Sequence, residues 1–150
     1  MFRRHRCSRL GLGRGKLYAG NTRFSCIAAI DGRYSFTPAW KPPFVTELMP
    51  DDRCHLNGLA VVDQRIAYAT AFKSSNAPRG WSERRLVSGV LMEVPSGKVV
   101  LDGLCMPHSP RVFDGQLYVL DSATGRVLRV EPEQRTAQSL VRWFAGPTNR

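Results

Sequence analysis

Gln116-Leu117-Tyr118-Val119-Leu120-Asp121, the tight turn Ser122-Ala123-Thr124-Gly125, and then Arg126-Val127-Leu128-Arg129-Val130 decide the fold. The last stretch alternates polar and apolar residues, as a half-buried strand does. In front stands Pro110-Arg111-Val112-Phe113-Asp114-Gly115, a short apolar strand closing on an Asp-Gly turn. Behind it, Glu131-Pro132-Glu133-Gln134 is another turn, and Thr136 to Trp143 reads as an outer strand. One unit is therefore four short antiparallel strands.

Working outward, the unit recurs. Ile66-Ala67-Tyr68-Ala69-Thr70-Ala71 and Lys16-Leu17-Tyr18-Ala19-Gly20-Asn21 match the Tyr118 strand, and Tyr18, Tyr68 and Tyr118 are spaced by 50 residues. Gly58-Leu59-Ala60-Val61-Val62-Asp63 is the lead-in of the second unit, whereas the first shows only Gly11 to Gly15 at that place. Val87 to Val94 and Lys98 to Leu101 form a hairpin around Pro95-Ser96-Gly97, after a longer polar excursion from Lys73 to Arg85. No segment carries a sustained helical stripe. Four strands in a period of roughly 40–50 residues is the arithmetic of a β-propeller blade. An immunoglobulin sandwich or jelly roll predicts no such period. The expectation is an all-β fold, a partial β-propeller of about three blades over residues 17–150, with residues 1–16 an unordered basic leader. Propellers close with roughly four to eight blades. The chain is thus expected to be a truncated part of a larger propeller, or to pair with another copy.

The formal charge of +10 suggests nucleic acid at first, but it is local. Residues 1–16 hold six basic residues and no acid; the other 134 hold 16 basic and 12 acidic. A nucleic-acid partner is not expected. No run of apolar residues is long enough for a membrane helix, and the leader lacks the apolar core of a secretory signal. Cys7, Cys26, Cys54 and Cys105 form no C-x-x-C pair, and no Asn-x-Ser/Thr acceptor occurs, which fits a reducing compartment; the cytoplasm is the expectation.

Three further stretches carry a resemblance: Tyr34 to Phe44 (YSFTPAWKPPF), Asp51 to Ala60 (DDRCHLNGLA) and Met106 to Arg111 (MPHSPR). In this order they resemble an uncharacterised, mostly bacterial family classed as a domain of unknown function. The resemblance runs from about Leu17 to the end, and implies a β-propeller of roughly twice this length. More distantly, Asn57-Gly58-Leu59-Ala60 is similar to the six-bladed gluconolactonase and strictosidine-synthase group, in which the Asn of an Asn-Gly pair faces a central metal. That likeness implies a metal site near Asn57.

The candidate site follows from the lead-ins. An offset of 51 aligns Cys54 with Cys105, His55 with Met106 and Asn57 with His108, so Asp52, Arg53, His55, Asn57, His108 and Arg111 are expected at one channel mouth. Asp52, His55, Asn57 and His108 offer nitrogen and oxygen ligands for a divalent metal such as Zn, Mn, Fe or Ca. A zinc quartet of Cys54, His55, Cys105 and His108 is disfavoured, because adjacent strand residues point to opposite faces. His55 and His108 are the candidate catalytic acid and base, since an imidazole titrates near about pH 6.5. Arg53 and Arg111 are candidates to hold a substrate carboxylate or oxyanion, and Trp81, on the long excursion, to contact substrate. The same residues serve equally well as turn-fixing hydrogen-bond partners, and the rings of Phe36 to Phe44 as a connector packed under the next blade. The favoured function is binding of a small molecule at the channel mouth. The alternatives are a metal-assisted hydrolase or lactonase, and a scaffold that binds another protein through exposed blade edges.

Overall fold

The architecture comes from a computed structural model, which describes residues 7–13, 15–82 and 87–142. Its strands are β1 (Cys7–Gly13), β2 (Lys16–Asn21), β3 (Cys26–Ile30), β4 (Thr37–Trp40), β5 (Leu56–Val62), β6 (Arg65–Ala71), β7 (Val87–Glu93), β8 (Val99–Cys105), β9 (Pro107–Phe113), β10 (Gln116–Asp121), β11 (Arg126–Glu131) and β12 (Thr136–Arg142). They form three four-stranded antiparallel sheets, ordered β1-β2-β3-β4, β5-β6-β7-β8 and β9-β10-β11-β12. This is the expected all-β, propeller-like arrangement of three blades. Among the described residues no helix is long and apolar enough to cross a membrane.

The period is visible in the register. Tyr18, Tyr68 and Tyr118 each lie in the second strand of a sheet, opposite Gly11, Ala60 and Arg111 of the first. The turn after the second strand repeats too. Thr22–Phe24 and Ser122–Thr124 are single 3-10 turns, closed by left-handed residues at Ser25 (φ 52°) and Gly125 (φ 64°). The expected Asp-led turns join the first two strands, with positive φ at Asp63 and Gln64, and at Asp114 and Gly115. Two successive left-handed residues make the two-residue turn that suits the strand twist.

One boundary differs from expectation. Residues 7–13, placed in an unordered leader, form β1, the innermost strand of blade 1. Glycines and an uneven register hide its alternation: a bulge separates Cys7 from Leu10. The glycine at 11 is needed for contact. A Cβ there would stand 2.4 Å from Leu59 Cδ1 of β5.

The core lies between the blades. One cluster joins blades 1 and 2 and contains Ile27, Val45, Leu56, Leu59, Ala69 and Met92; Tyr18, Trp40 and Phe44 pack against it. The other joins blades 2 and 3 through Leu91, Val100, Leu104, Leu117, Val119, Leu128 and Val130. Leu91 and Met92 are neighbours in β7 and serve opposite junctions, because successive strand residues face opposite ways. Trp40, whose Nε1 donates to Pro95 O at 3.0 Å, ties the outer strand of blade 1 to the β7–β8 turn.

Candidate functional site

The loop 51–55 leads into β5 and is fixed from both sides. Asp52 N donates to Arg23 O at 2.9 Å, and Arg53 N to Ser25 Oγ at 2.9 Å, both in the β2–β3 turn of blade 1. Arg79 N donates to Asp51 O, and Phe72 N to Cys54 O, both at 3.0 Å, from the blade 2 excursion. Asp52 and His55 hold left-handed backbone (φ 50° and 52°), which Asp and His tolerate better than most residues. Met106, before β9, has the same conformation (φ 51°), so the turn into an inner strand belongs to the repeat.

His55 is the centre of this loop. Its Nδ1 lies 2.9 Å from Asp52 Oδ2. With the proton on Nδ1, that bond leaves Nε2 as the basic nitrogen. The ring stacks on Phe72 at 4.4 Å and meets Trp81 at 4.2 Å between centroids. His108 reaches the same aromatic group from blade 3, edge-on to Phe72 at 5.2 Å. Phe72 therefore touches both imidazoles.

Three of the expected site residues have structural duties. Arg53 is 8% exposed, and its guanidinium is occupied by Asp51 (3.1 Å), Asn76 (2.9 Å), Thr46 (3.4 Å) and Glu47 (3.4 Å). It braces the β4–β5 connection against the β6–β7 connection. Arg111 Nη1 donates to Leu59 O and Pro110 O, both at 3.0 Å, linking the inner strands of blades 2 and 3. Asn57 is fully buried: Nδ2 donates to Pro107 O at 3.0 Å and Oδ1 accepts from Thr70 Oγ1 at 2.7 Å. Both ends of the Asn57 amide are thus hydrogen-bonded within the protein. Among the described residues no three His, Cys, Asp or Glu side chains are grouped to hold a metal ion. Asp52, His55 and His108 are thus not grouped as a set of three.

A cleft of about 360 Å³ opens beside the loop, at the junction of blades 1 and 2, walled by Arg23, Pro50, Asp51, Asp52, Arg79 and Trp81. Asp52 Oδ1 and Trp81 Nε1 are buried with no hydrogen-bond partner among the described residues. Each such group costs about 1–3 kcal/mol when nothing satisfies it. Arg23, half-buried, and Arg79, exposed, line the same cleft. At the opposite end of the blades, the groove of about 820 Å³ beside Tyr18, Trp40 and Pro95 has no unsatisfied buried polar atom of the described residues in its wall.

The sequence reading named Asp52, His55 and Trp81, and did not name Phe72, Arg23 and Arg79, which the fold places beside them. The available signal was a break in the repeat. Polar Thr22 and Ser122 follow the second strands of blades 1 and 3, but Phe72 follows that of blade 2.

Cys54 sits beneath this loop with none of its surface exposed, and burial pushes its thiol from the ordinary 9.0 up to about 12. In the unfolded chain it ionises near 9.0, so it contributes stability that is complete below pH 9 and lost as the pH rises toward 12. Urea unfolding across this range is expected to show a shallower alkaline loss for Cys54→Ala than for the parent. Equal slopes would mean that the thiol ionises as readily folded as unfolded.

Fold and site together define a propeller-like repeat protein with a cleft and an Asp-His pair at one blade junction. The chain matches the family described as a domain of unknown function (DUF4915) over residues 6–146, and it belongs to that family. A search of curated proteins finds no match.

Proposed function

We propose that this chain binds a small hydroxylated anion in the cleft between blades 1 and 2. The observation that carries the reading is the meeting of two cationic residues, Arg23 and Arg79, with the unsatisfied Asp52 Oδ1 and Trp81 Nε1 in one cleft wall. Planar guanidinium forks suit a carboxylate or phosphate. An indole N–H and a carboxylate oxygen suit a hydroxyl, which accepts from one and donates to the other. The volume falls in the range of small-molecule sites, roughly 300–1,000 Å³. Arg53 and Arg111, committed to protein acceptors, are not part of this binding set.

Calorimetric titration with citrate, gluconate and inorganic phosphate tests the reading. At least one probe is expected to bind, with affinity falling about tenfold, near 1.4 kcal/mol, in Arg79→Ala or Arg23→Ala. Absence of binding by all three, or equal binding by both variants, overturns it.

A second reading, hydrolysis of a lactone or ester, is favoured by the Asp52–His55 hydrogen bond. An imidazole oriented by a carboxylate can take a proton from water through Nε2. It requires no metal at Asn57. Turnover of gluconolactone that is lost in His55→Gln would support it, and binding without turnover would leave the first reading alone.

A further inference from the structure

We propose that His55 is the positioning residue for a ligand hydroxyl: it sets the Asp52 acceptor and the Trp81 donor, and so makes the cleft select a polyhydroxylated carboxylate over its deoxy counterpart. The inference rests on the anion reading of the cleft and narrows its ligand class.

Asp52 Oδ1 and Trp81 Nε1, the two buried atoms of the cleft wall with no hydrogen-bond partner among the described residues, come from different connections, β4–β5 and β6–β7. One side chain touches both residues. His55 Nδ1 lies 2.9 Å from Asp52 Oδ2, which ties one carboxylate oxygen and so fixes the direction of the other. The same imidazole meets the Trp81 ring at 4.2 Å between centroids, and Phe72 closes the stack at 4.4 Å from His55 and 5.8 Å from Trp81. A hydroxyl satisfies both orphaned atoms, accepting from the indole N–H and donating to the carboxylate oxygen. A methylene in its place satisfies neither, so a deoxy ligand leaves two buried polar atoms unmet.

The repeat marks these residues as a departure. The offset of 51 that aligns Cys54 with Cys105 aligns Asp52 with Gly103 and His55 with Met106. All four are left-handed, Asp52 and Gly103 at φ 50° and 69°, His55 and Met106 at φ 52° and 51°. Glycine takes that conformation readily, and a residue with a Cβ does so less easily. Blade 2 thus carries strain at Asp52 that blade 3 avoids at the same turn, and strain of this kind gathers where a side chain has a task. Phe72, standing where the other blades have Thr22 and Ser122, is a second departure, and it too touches His55.

Calorimetric titration of the whole chain with gluconate and hexanoate tests the proposal, since the two share chain length and carboxylate and only the first carries hydroxyls. Gluconate is expected to bind at least about tenfold more tightly than hexanoate. His55→Met, which installs the residue blade 3 holds in the same backbone conformation, is expected to cut that ratio below about twofold. His55→Asn keeps an amide donor near the place of Nδ1 and is expected to retain more of the ratio. Trp81→Phe, which keeps a ring and removes the donor, is expected to lower the ratio as His55→Met does. Arg79→Ala is expected to weaken both ligands alike. Circular dichroism checks that each variant keeps its strands. A parent that binds gluconate and hexanoate equally, one that binds phosphate or citrate but not gluconate, or a His55→Met variant that keeps the parent's ratio overturns the proposal and leaves the anion reading standing. A parent that binds none of gluconate, citrate and phosphate overturns both.

Discussion

Asn57→Asp is expected to lower the melting temperature by roughly 10 °C, with almost no change in side-chain volume. The substitution replaces the Nδ2 donor with an oxygen, which then faces Pro107 O across a former 3.0 Å hydrogen bond. It also places a carboxylate at a fully buried position with no cation among its bonded partners. A buried charge without a partner costs about 3–5 kcal/mol, or a proton is taken up and part of that cost remains as a shifted pKa. The bond being broken spans the inner strands of blades 2 and 3, so the loss is expected in one cooperative transition. The comparison also decides between roles. A metal ligand exchanged for a carboxylate would bind a divalent ion more tightly, and the variant would be rescued by Mn, Zn or Ca. Melting with and without these ions, followed by circular dichroism, is the measurement. A variant within about 2 °C of the parent, or one restored by metal, would show that Asn57 is not the clamp its hydrogen bonds describe.

The second large effect is expected at Asp121. Its carboxylate is fully buried at the end of β10; Oδ1 accepts from Cys105 N at 2.5 Å, and Oδ2 from Thr124 Oγ1 at 2.5 Å and Arg126 Nη2 at 2.6 Å. One side chain thus joins the last strand of blade 2 to the β10–β11 turn of blade 3. Asp121→Ala leaves a buried N–H unmet and is expected to cost about 3 kcal/mol in urea unfolding. Arg126 is 37% exposed and returns to water at little expense. Asp121→Asn keeps an acceptor for Cys105 N and is expected to lose less than half as much. Equal losses for the two variants would assign the effect to charge, and a loss under about 1 kcal/mol for Ala would remove Asp121 from the junction.

The architecture was legible because its signal is a period. Tyr18, Tyr68 and Tyr118 needed no knowledge of which residues touch, only of which recur, and each stands in a second strand. Blade 1's inner strand escaped because its glycines and bulge erase the alternation that marked β5 and β9. The site was legible only as a neighbourhood. The offset of 51 led to the expectation that His55, Asn57 and His108 meet; Asn57 bonds Pro107, and His55 and His108 each touch Phe72. Whether a polar side chain faces a cleft or a backbone carbonyl depends on rotamers and on partners distant in sequence. Asn57 bonds a residue 50 positions away, and Arg111 one 52 away. Arg23 and Arg79 stand out only by their place beside the cleft, and which distant residues share a cleft wall has no sequence pattern.

His55 and Met106 share one backbone conformation at one place in the repeat, each after a buried cysteine and before an inner strand. The turn demands the dihedral angle and accepts side chains as different as an imidazole and a thioether. Blade 2 uses the position for an imidazole tied to Asp52, and blade 3 for a methionine 37% exposed. Duplicating a blade therefore copies an address without copying its chemistry. In a protein of this kind, new specificity can arise one blade at a time at a position where the scaffold has no stake in the outcome.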